Sequence, residues 1–314
     1  MAANTSVSIP SITDTTPTDN RNAVIIALIS VYIIWGSTYL AISFALESFP
    51  PFLLSVLRFG LSAGALFVWL AITRRETLPT PRQIVNAMIV GILTLGIGTT
   101  AVAIAEQYVS SGLAALAVAA VPLWTAAFAV LWLGRPSKLE WMGMLVGFGG
   151  IVLLNLDKGL SAQPQGALPL IIGPIAWSLG SILSRRLDMP SGFMAIAFEL
   201  FGAFVLVLVI SIATGAQPKG TPTPNAILAI LYLATFGSLV GYTAFMYLMK
   251  TVTTSVATSY AYVNPVVALL LGVLFAGEGK HITPLVVLAM VITLSGVVLV
   301  GYASAQRRKN LRAN

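Results

Sequence analysis

The chain has 314 residues, of which 57% are hydrophobic and only 9% charged, with a formal net charge of +7 and a mean hydropathy of +0.92. An ordinary soluble domain carries roughly 25% charged residues, so this composition excludes a water-soluble globular fold and suits a bilayer. With no cysteine and a single histidine, His281, the chain excludes disulfides, thiolate chemistry and a His/Cys metal cluster, and no cofactor is implied.

Residues 1–22 are polar, rich in Ser and Thr, and carry Asp14 and Asp19. They lack a basic n-region, and the apolar stretch behind them is too long for a signal h-region, so they predict a disordered tail ahead of an uncleaved first helix. Spans follow near 23–44, 51–73, 83–105, 111–133, 138–156, 167–185, 192–213, 225–249, 255–276 and 282–303. Each is long enough to cross a core of ~30 Å at 1.5 Å per residue. The weakest break, 105–111, is marked by Glu106, Gln107 and Ser110-Ser111-Gly112; the break at 250–255 rests on Lys250 and a threonine cluster. A basic tail, 304–314, closes the chain. The predicted fold is an all-α polytopic membrane protein with ten transmembrane helices.

Charge sets the orientation. With the N-terminus inside, thirteen Lys and Arg fall in cytoplasmic segments and three (Lys158, Lys219, Lys280) in outer loops, while Arg58 lies inside a span. That asymmetry predicts both termini in the cytoplasm and an even span number. The basic residues are topology signals, and no nucleic-acid partner is implied.

Residues 119–154 and 262–299 read as two copies of one unit. Each has a proline inside an apolar run (Pro122, Pro265), a glycine turn (Gly134, Gly277) and a second apolar run closing on Gly-Ile-Val-Leu or Gly-Val-Val-Leu. The offset is 143 for the prolines and turn glycines and 146 for Gly150 and Gly296; Trp35 and Trp177 align at 142. Each half, 23–156 and 167–303, then holds five helices. Five is odd, so the second half starts from the opposite side of the membrane, and the repeats are inverted.

The two prolines break backbone hydrogen bonding in mid-span. Pro265 leaves the Ala261 carbonyl without its helical partner, and Pro122 does the same to Val118. In lipid such breaks belong where protein or water satisfies them, and at a repeat interface they suit a solute site. Asn264 adds a donor and an acceptor beside one break; the other reading is a packing kink with Asn264 capping locally. Trp35, Thr38, Tyr39, Trp124, Trp177, Tyr242 and Tyr260 are the remaining candidate solute contacts. An aromatic pocket with a few polar groups suits a neutral, zwitterionic or aromatic solute, while each ring alone also reads as packing.

Glu199 and Arg58 are ionisable residues inside spans, which are costly there and point to function by default. Glu199 divides between proton or substrate coupling and a structural role. For Arg58, bracing of a carbonyl or snorkelling outward is favoured. Glu106, at the outer end of span three, either meets an amine group or ends the helix in water. Gly60-xxx-Gly64 and Gly143-xxx-Gly147 predict close helix contacts. Gly96-Ile97-Gly98 follows no strand, and Gly277-Glu278-Gly279-Lys280 lacks the phosphate-loop spacing, so no nucleotide site is present to drive transport.

Trp35-Gly36-Ser37-Thr38-Tyr39, Arg58-Phe59, Glu106, the Pro122 helix, Leu139-Glu140-Trp141-Met142-Gly143 and Ser259-Tyr260-Ala261-Tyr262-Val263-Asn264-Pro265-Val266-Val267 resemble the EamA family of the drug/metabolite transporter superfamily, in its YedA-like inner-membrane subgroup. The resemblance covers roughly residues 23–303. It implies a ten-helix exporter of small metabolites, amino acids or drugs in a bacterial inner membrane, with a central basket formed by spans 1, 3, 4, 6, 8 and 9.

A secondary carrier working by alternating access explains the repeat, the broken helices and the missing nucleotide motif. A flippase for a lipid-linked or amphipathic substrate would share the architecture but open sideways. A polytopic enzyme or sensor needs a catalytic cluster or a large soluble domain, and the sequence offers neither. The partners implied are a small-molecule solute, a proton as candidate coupling ion through Glu199 and Glu106, and the bilayer; the sequence leaves the oligomeric state open, a monomer included.

Overall fold

The computed structural model describes residues 19–73, 76–108, 118–132, 135–156, 164–275 and 284–313. The tail 1–18, the Ser110-Ser111-Gly112 break, the turn glycines Gly134 and Gly277, the loop lysines Lys158 and Lys280, and Arg74 and Arg75 lie outside these residues.

Every regular element among the described residues is helical. In chain order these are α1 (Asp19–Ser48), α2 (Pro51–Thr73), α3 (Pro81–Ala105), α4 (Val121–Trp132), α5 (Lys138–Leu156), α6 (Pro164–Leu183), α7 (Gly192–Ala213), α8 (Pro224–Thr251), the short α9 (Thr254–Ala257), α10 (Tyr260–Phe275) and α11 (Pro284–Ala313). Six of them, α1, α2, α3, α7, α8 and α11, contain stretches long and apolar enough to cross a membrane. Their outward faces stay apolar: Ile72, Val209, Ile212 and Val298 are all exposed, as contact with lipid allows and contact with water does not.

Local sequence explains the helix starts. Thr80 caps α3, accepting from the Gln83 backbone N–H (3.3 Å), while the Gln83 side chain accepts from the Thr80 N–H (3.0 Å); Pro81 fills the first helical position. This is a capping box with the residue best suited to the first turn. Thr223 and Pro224 repeat the arrangement at α8, where Thr223 accepts from the Ala226 N–H (3.2 Å).

Two features were not anticipated from the sequence. Both capped helices widen into π-helical stretches, Ile92–Thr99 in α3 and Leu233–Gly241 in α8. Each holds glycines against which a tryptophan packs. A methyl group on Gly98 would lie 3.0 Å from the Trp177 Cβ, and one on Gly241 would lie 2.6 Å from the Trp35 Nε1. Single π turns inside α-helices often mark functional sites.

The connections gather at two opposite ends. At one end Glu76 accepts from the Phe193 and Met194 N–H groups (2.7 Å each), Gln83 and Asn86 donate to Asp188 (3.0 and 2.8 Å), and Arg185 donates to the Val252 carbonyl (3.2 Å). At the other, Lys219 donates to the Leu46 carbonyl (2.9 Å) and the Thr223 N–H donates to Ser48 (3.1 Å). So α3 starts at the first end and α8 at the second.

The predicted glycine contact on α5 is present. A methyl on Gly143 would lie 2.9 Å from the Gly296 carbonyl oxygen of α11, and Gly147 packs on the same glycine. The backbones of α5 and α11 touch because no side chain intervenes. Gly60 lies against the Phe204 ring and Gly64 faces open space, so the first motif brings only one of its glycines into contact.

Candidate functional site

A cavity of about 90 Å³ lies among α1, α2, α3, α6, α8, α10 and the start of span four. Helical period builds its walls. Trp35, Thr38, Tyr39 and Ile42 face it at the i, i+3, i+4, i+7 spacing of one face of α1, and Leu95, Gly98, Thr99 and Val102 do the same from α3. Tyr260 and Asn264, one turn apart, contribute from α10, and Gly173, Pro174 and Trp177 from α6. Arg58 reaches in from α2, Gly237 from α8, and Val118 and Val121 from span four.

The floor of the cavity is aromatic. Trp35 meets Trp177 edge to face at 5.3 Å between ring centroids and Tyr260 at 4.7 Å. Phe245 sits behind all three at 5.3, 5.4 and 5.6 Å. Such pairs add stability beyond the area they bury. The Trp35 indole N–H donates to the Gly237 carbonyl (2.9 Å) in the π stretch of α8. The Trp177 Nε1, by contrast, is buried without an acceptor and has the Tyr260 hydroxyl as a neighbour outside hydrogen-bond geometry.

Asn264 is 2% exposed. With its NH2 turned toward them, it reaches the Tyr260 carbonyl at 3.1 Å and the Tyr32 carbonyl of α1 at 3.2 Å. It therefore ties α10 to α1 one residue before Pro265, which lies inside α10. Pro122 sits in the first turn of α4 and does not line the cavity, although Val118 and Val121 beside it do. The Val121 carbonyl beside it accepts from Ser178 of α6 (3.1 Å).

Six of the eight predicted contacts thus surround one cavity. The other two do not. Trp124 is 40% exposed and stacks on Phe128 at 6.5 Å, because it falls on the outward face of α4. Tyr242 is fully buried behind the floor, 6.2 Å from Trp177, and hydrogen-bonds Thr94 (2.9 Å).

Glu199 and Glu106 also stand outside the wall. Glu199 is fully buried, its backbone pressed against Gly91 of α3. Neither carboxylate oxygen has a hydrogen-bond partner; the Tyr242 hydroxyl is within electrostatic reach but spends its hydrogen bond on Thr94. Glu106 caps the end of α3 one turn beyond Val102, beside Tyr39, with Oε1 buried and unpartnered.

Arg58, read from the sequence as a brace, has both features. Its Nε donates to Ser238 (2.8 Å), and it lines the cavity at 4% exposure. Its signal in the sequence was a charge two turns inside an apolar span. Thr99, Pro174 and Gly237 carried none, since they gain meaning only from the helices they face.

Two segments, 22–156 and 164–302, match the model of the EamA-like transporter family. The chain is 42% identical over 275 residues to the uncharacterized inner membrane transporter YedA of Escherichia coli K12, covering 87% of this chain and 89% of that protein. It is 26% identical to the uncharacterized transporter YdfC of Bacillus subtilis (84% and 86% covered) and 25% identical to the protein PecM of Dickeya dadantii (89% and 93%). A crystal structure 21% identical in sequence superposes with a TM-score of 0.72 over 90% of this chain and 99% of its own, so the fold is shared. The chain is a multi-pass inner-membrane protein and belongs to the EamA-like transporter family.

Proposed function

We propose that this protein is a secondary carrier that exports small solutes (metabolites, amino acids or drugs) across the inner membrane by alternating access. The observation that carries this reading is the cavity itself, small, aromatic-floored and walled by helices from both family-matched segments. Solute sites in carriers built from repeats sit at the repeat interface.

Ten spans in two inverted five-helix halves fit the placement of the equivalent helices. Thr80-Pro81 and Thr223-Pro224 open the third span of each half from opposite ends, and each of those spans carries a π stretch. The end that holds Arg185, Arg186 and the 76–86 connection is the cytoplasmic one by the charge rule, which puts both termini inside. Trp35, Thr38, Tyr39, Trp177, Tyr260 and Asn264 are the solute contacts. Alternation would shift the Asn264 and Pro265 segment of α10 against α1. Glu199, enclosed and unpartnered, is the proton-exchanging group, and Glu106 tunes entry from the outer end.

The test is solute counterflow in proteoliposomes holding the purified full-length protein. A panel of labelled amino acids and small metabolites should include solutes that exchange through the native protein and fail to exchange through Trp177→Ala. Exchange of a lipid-linked sugar, with none of the small solutes moving, would replace the carrier by a flippase.

A further inference from the structure

Among the described residues, Arg58 is a cation in a low-dielectric wall with no ion-pair partner. It is 4% exposed, and its one side-chain hydrogen bond is the neutral one to Ser238. Its guanidinium packs beside Gly237, where an added methyl would lie 3.0 Å from Nη2. Among the described residues it forms no ion pair: Glu106 lies beside Tyr39 one turn beyond Val102 and Glu199 is enclosed against α3, and neither lines the cavity. A buried charge left unpaired is strongly unfavourable, and nature pairs it or has a ligand do so.

The rest of the wall has the same polarity. Among the described residues no carboxylate lines it. The Trp177 Nε1 is a buried donor without an acceptor. Thr38 spends its proton on the Trp35 carbonyl (2.6 Å), and the Trp35 N–H and the Asn264 amide are turned onto backbone carbonyls. What remains to meet a solute is one positive charge and the Trp177 N–H, with the Tyr39, Thr99 and Tyr260 hydroxyls able to donate or accept, over an aromatic floor.

We infer that Arg58 is the anion-binding group of this cavity, and that the solute is a small monocarboxylic acid whose carboxylate pairs with Arg58 while its apolar body rests on Trp35, Trp177 and Tyr260. A planar guanidinium matches a carboxylate with two parallel hydrogen bonds, which a lysine cannot reproduce. One guanidinium neutralises one negative charge, which favours a carboxylate over a doubly charged phosphate. The inference rests on the cavity being the solute site. It replaces the neutral, zwitterionic or aromatic solute expected from the sequence with an anionic one, and it makes Ser238 a positioning residue that aims Arg58.

The experiment uses the purified full-length protein with three matched probes: phenylacetate, phenylacetamide and phenethylamine. Binding is read by quenching of tryptophan fluorescence and by the thermal unfolding midpoint. The acid should bind and raise the midpoint, and the isosteric amide and the amine should not. Arg58→Gln should weaken acid binding by at least about tenfold and Arg58→Lys by less. Ser238→Ala, which removes the brace and keeps the charge, should stay within about threefold of the native protein. Equal binding of acid and amide by the native protein, or no binding of the acid, would overturn the inference, and this holds whether or not Arg58→Gln folds. So would undiminished acid binding by a folded Arg58→Gln. Solute counterflow that is lost in Trp177→Ala but indifferent to solute charge leaves the carrier standing without the carboxylate. Absence of all counterflow removes the carrier itself.

Discussion

Trp35 and Trp177, 142 positions apart, meet edge to face with ring centroids 5.3 Å apart and planes at 83°. Each also packs into the π stretch of the other half, Trp177 on Gly98 and Trp35 on Gly241. The exchange is reciprocal between the two family-matched segments. Wide π turns with glycine at the contact let an indole approach the backbone closely, which an ordinary α turn carrying a Cβ would prevent.

That reciprocity makes a paired prediction. Gly98→Ala and Gly241→Ala should both destabilise the protein, by about 1–3 kcal/mol each, because the new methyl forces an indole out of a packed floor. Gly64→Ala, which meets nothing within 4 Å, should not. Thermal unfolding of the three variants in detergent decides. If Gly241→Ala melts with the native protein, the Trp35 contact is not structural.

Much of this arrangement could be read from the sequence, for a definite reason. Trp35, Thr38 and Tyr39 recur at helical spacing, Tyr260 and Asn264 lie one turn apart, and Trp177 is the repeat partner of Trp35. Where a residue's own helix determined its direction, pattern was enough. Trp124 and Tyr242 were misplaced because depth in the membrane says nothing about azimuth around the helix. Span four is apolar on all sides, so no period marks its inward face. The π stretches left no trace beyond small residues, and the tryptophans packed on their glycines come from a distant part of the chain. Arg58 looked like a brace because a lone charge in a span has no visible partner; the cavity beside it appears only once α2 is set against α3 and α8.

The break in α10 can be tested with two variants. Asn264→Ala removes the amide that reaches Tyr260 and Tyr32. It should lower exchange several-fold while costing only about 1 kcal/mol of stability, in the range of one neutral hydrogen bond. Pro265→Ala restores a backbone donor to the helix and should slow turnover more than it weakens binding. Counterflow rates at saturating solute, set beside binding measured by fluorescence, separate the two effects. Native turnover in both variants would reduce this segment to packing.

Topology is directly accessible because the chain contains no cysteine. Leu78 and Gln217 are both exposed and sit in connections at opposite ends. A membrane-impermeant maleimide applied to intact cells (with the outer membrane permeabilised) should label Gln217→Cys, and label Leu78→Cys only after lysis. Labelling of both in intact cells would contradict the inverted arrangement.

The proposed proton coupling is tested at Glu199. Burying a carboxylate with no hydrogen-bond partner for either oxygen is costly, which marks Glu199 as the candidate proton carrier. The Tyr242 hydroxyl lies between it and the cavity floor, in electrostatic reach of Glu199 and in ring contact with Trp177. Tyr242 is therefore the residue through which the proposed coupling would reach the cavity floor. Glu199→Gln preserves the shape of the protonated acid and removes the exchangeable proton. It should keep solute exchange at equal pH on both sides, and lose accumulation driven by an imposed pH difference. Glu106→Gln, beside Tyr39 at the end of α3, should shift apparent affinity and leave the response to pH intact. Tyr242→Phe deletes the intervening hydroxyl and should blunt coupling while leaving exchange close to native. Proteoliposomes with and without a pH step measure all three. Should Glu199→Gln accumulate solute as steeply as the native protein, the carboxyl is structural and the driving ion enters elsewhere.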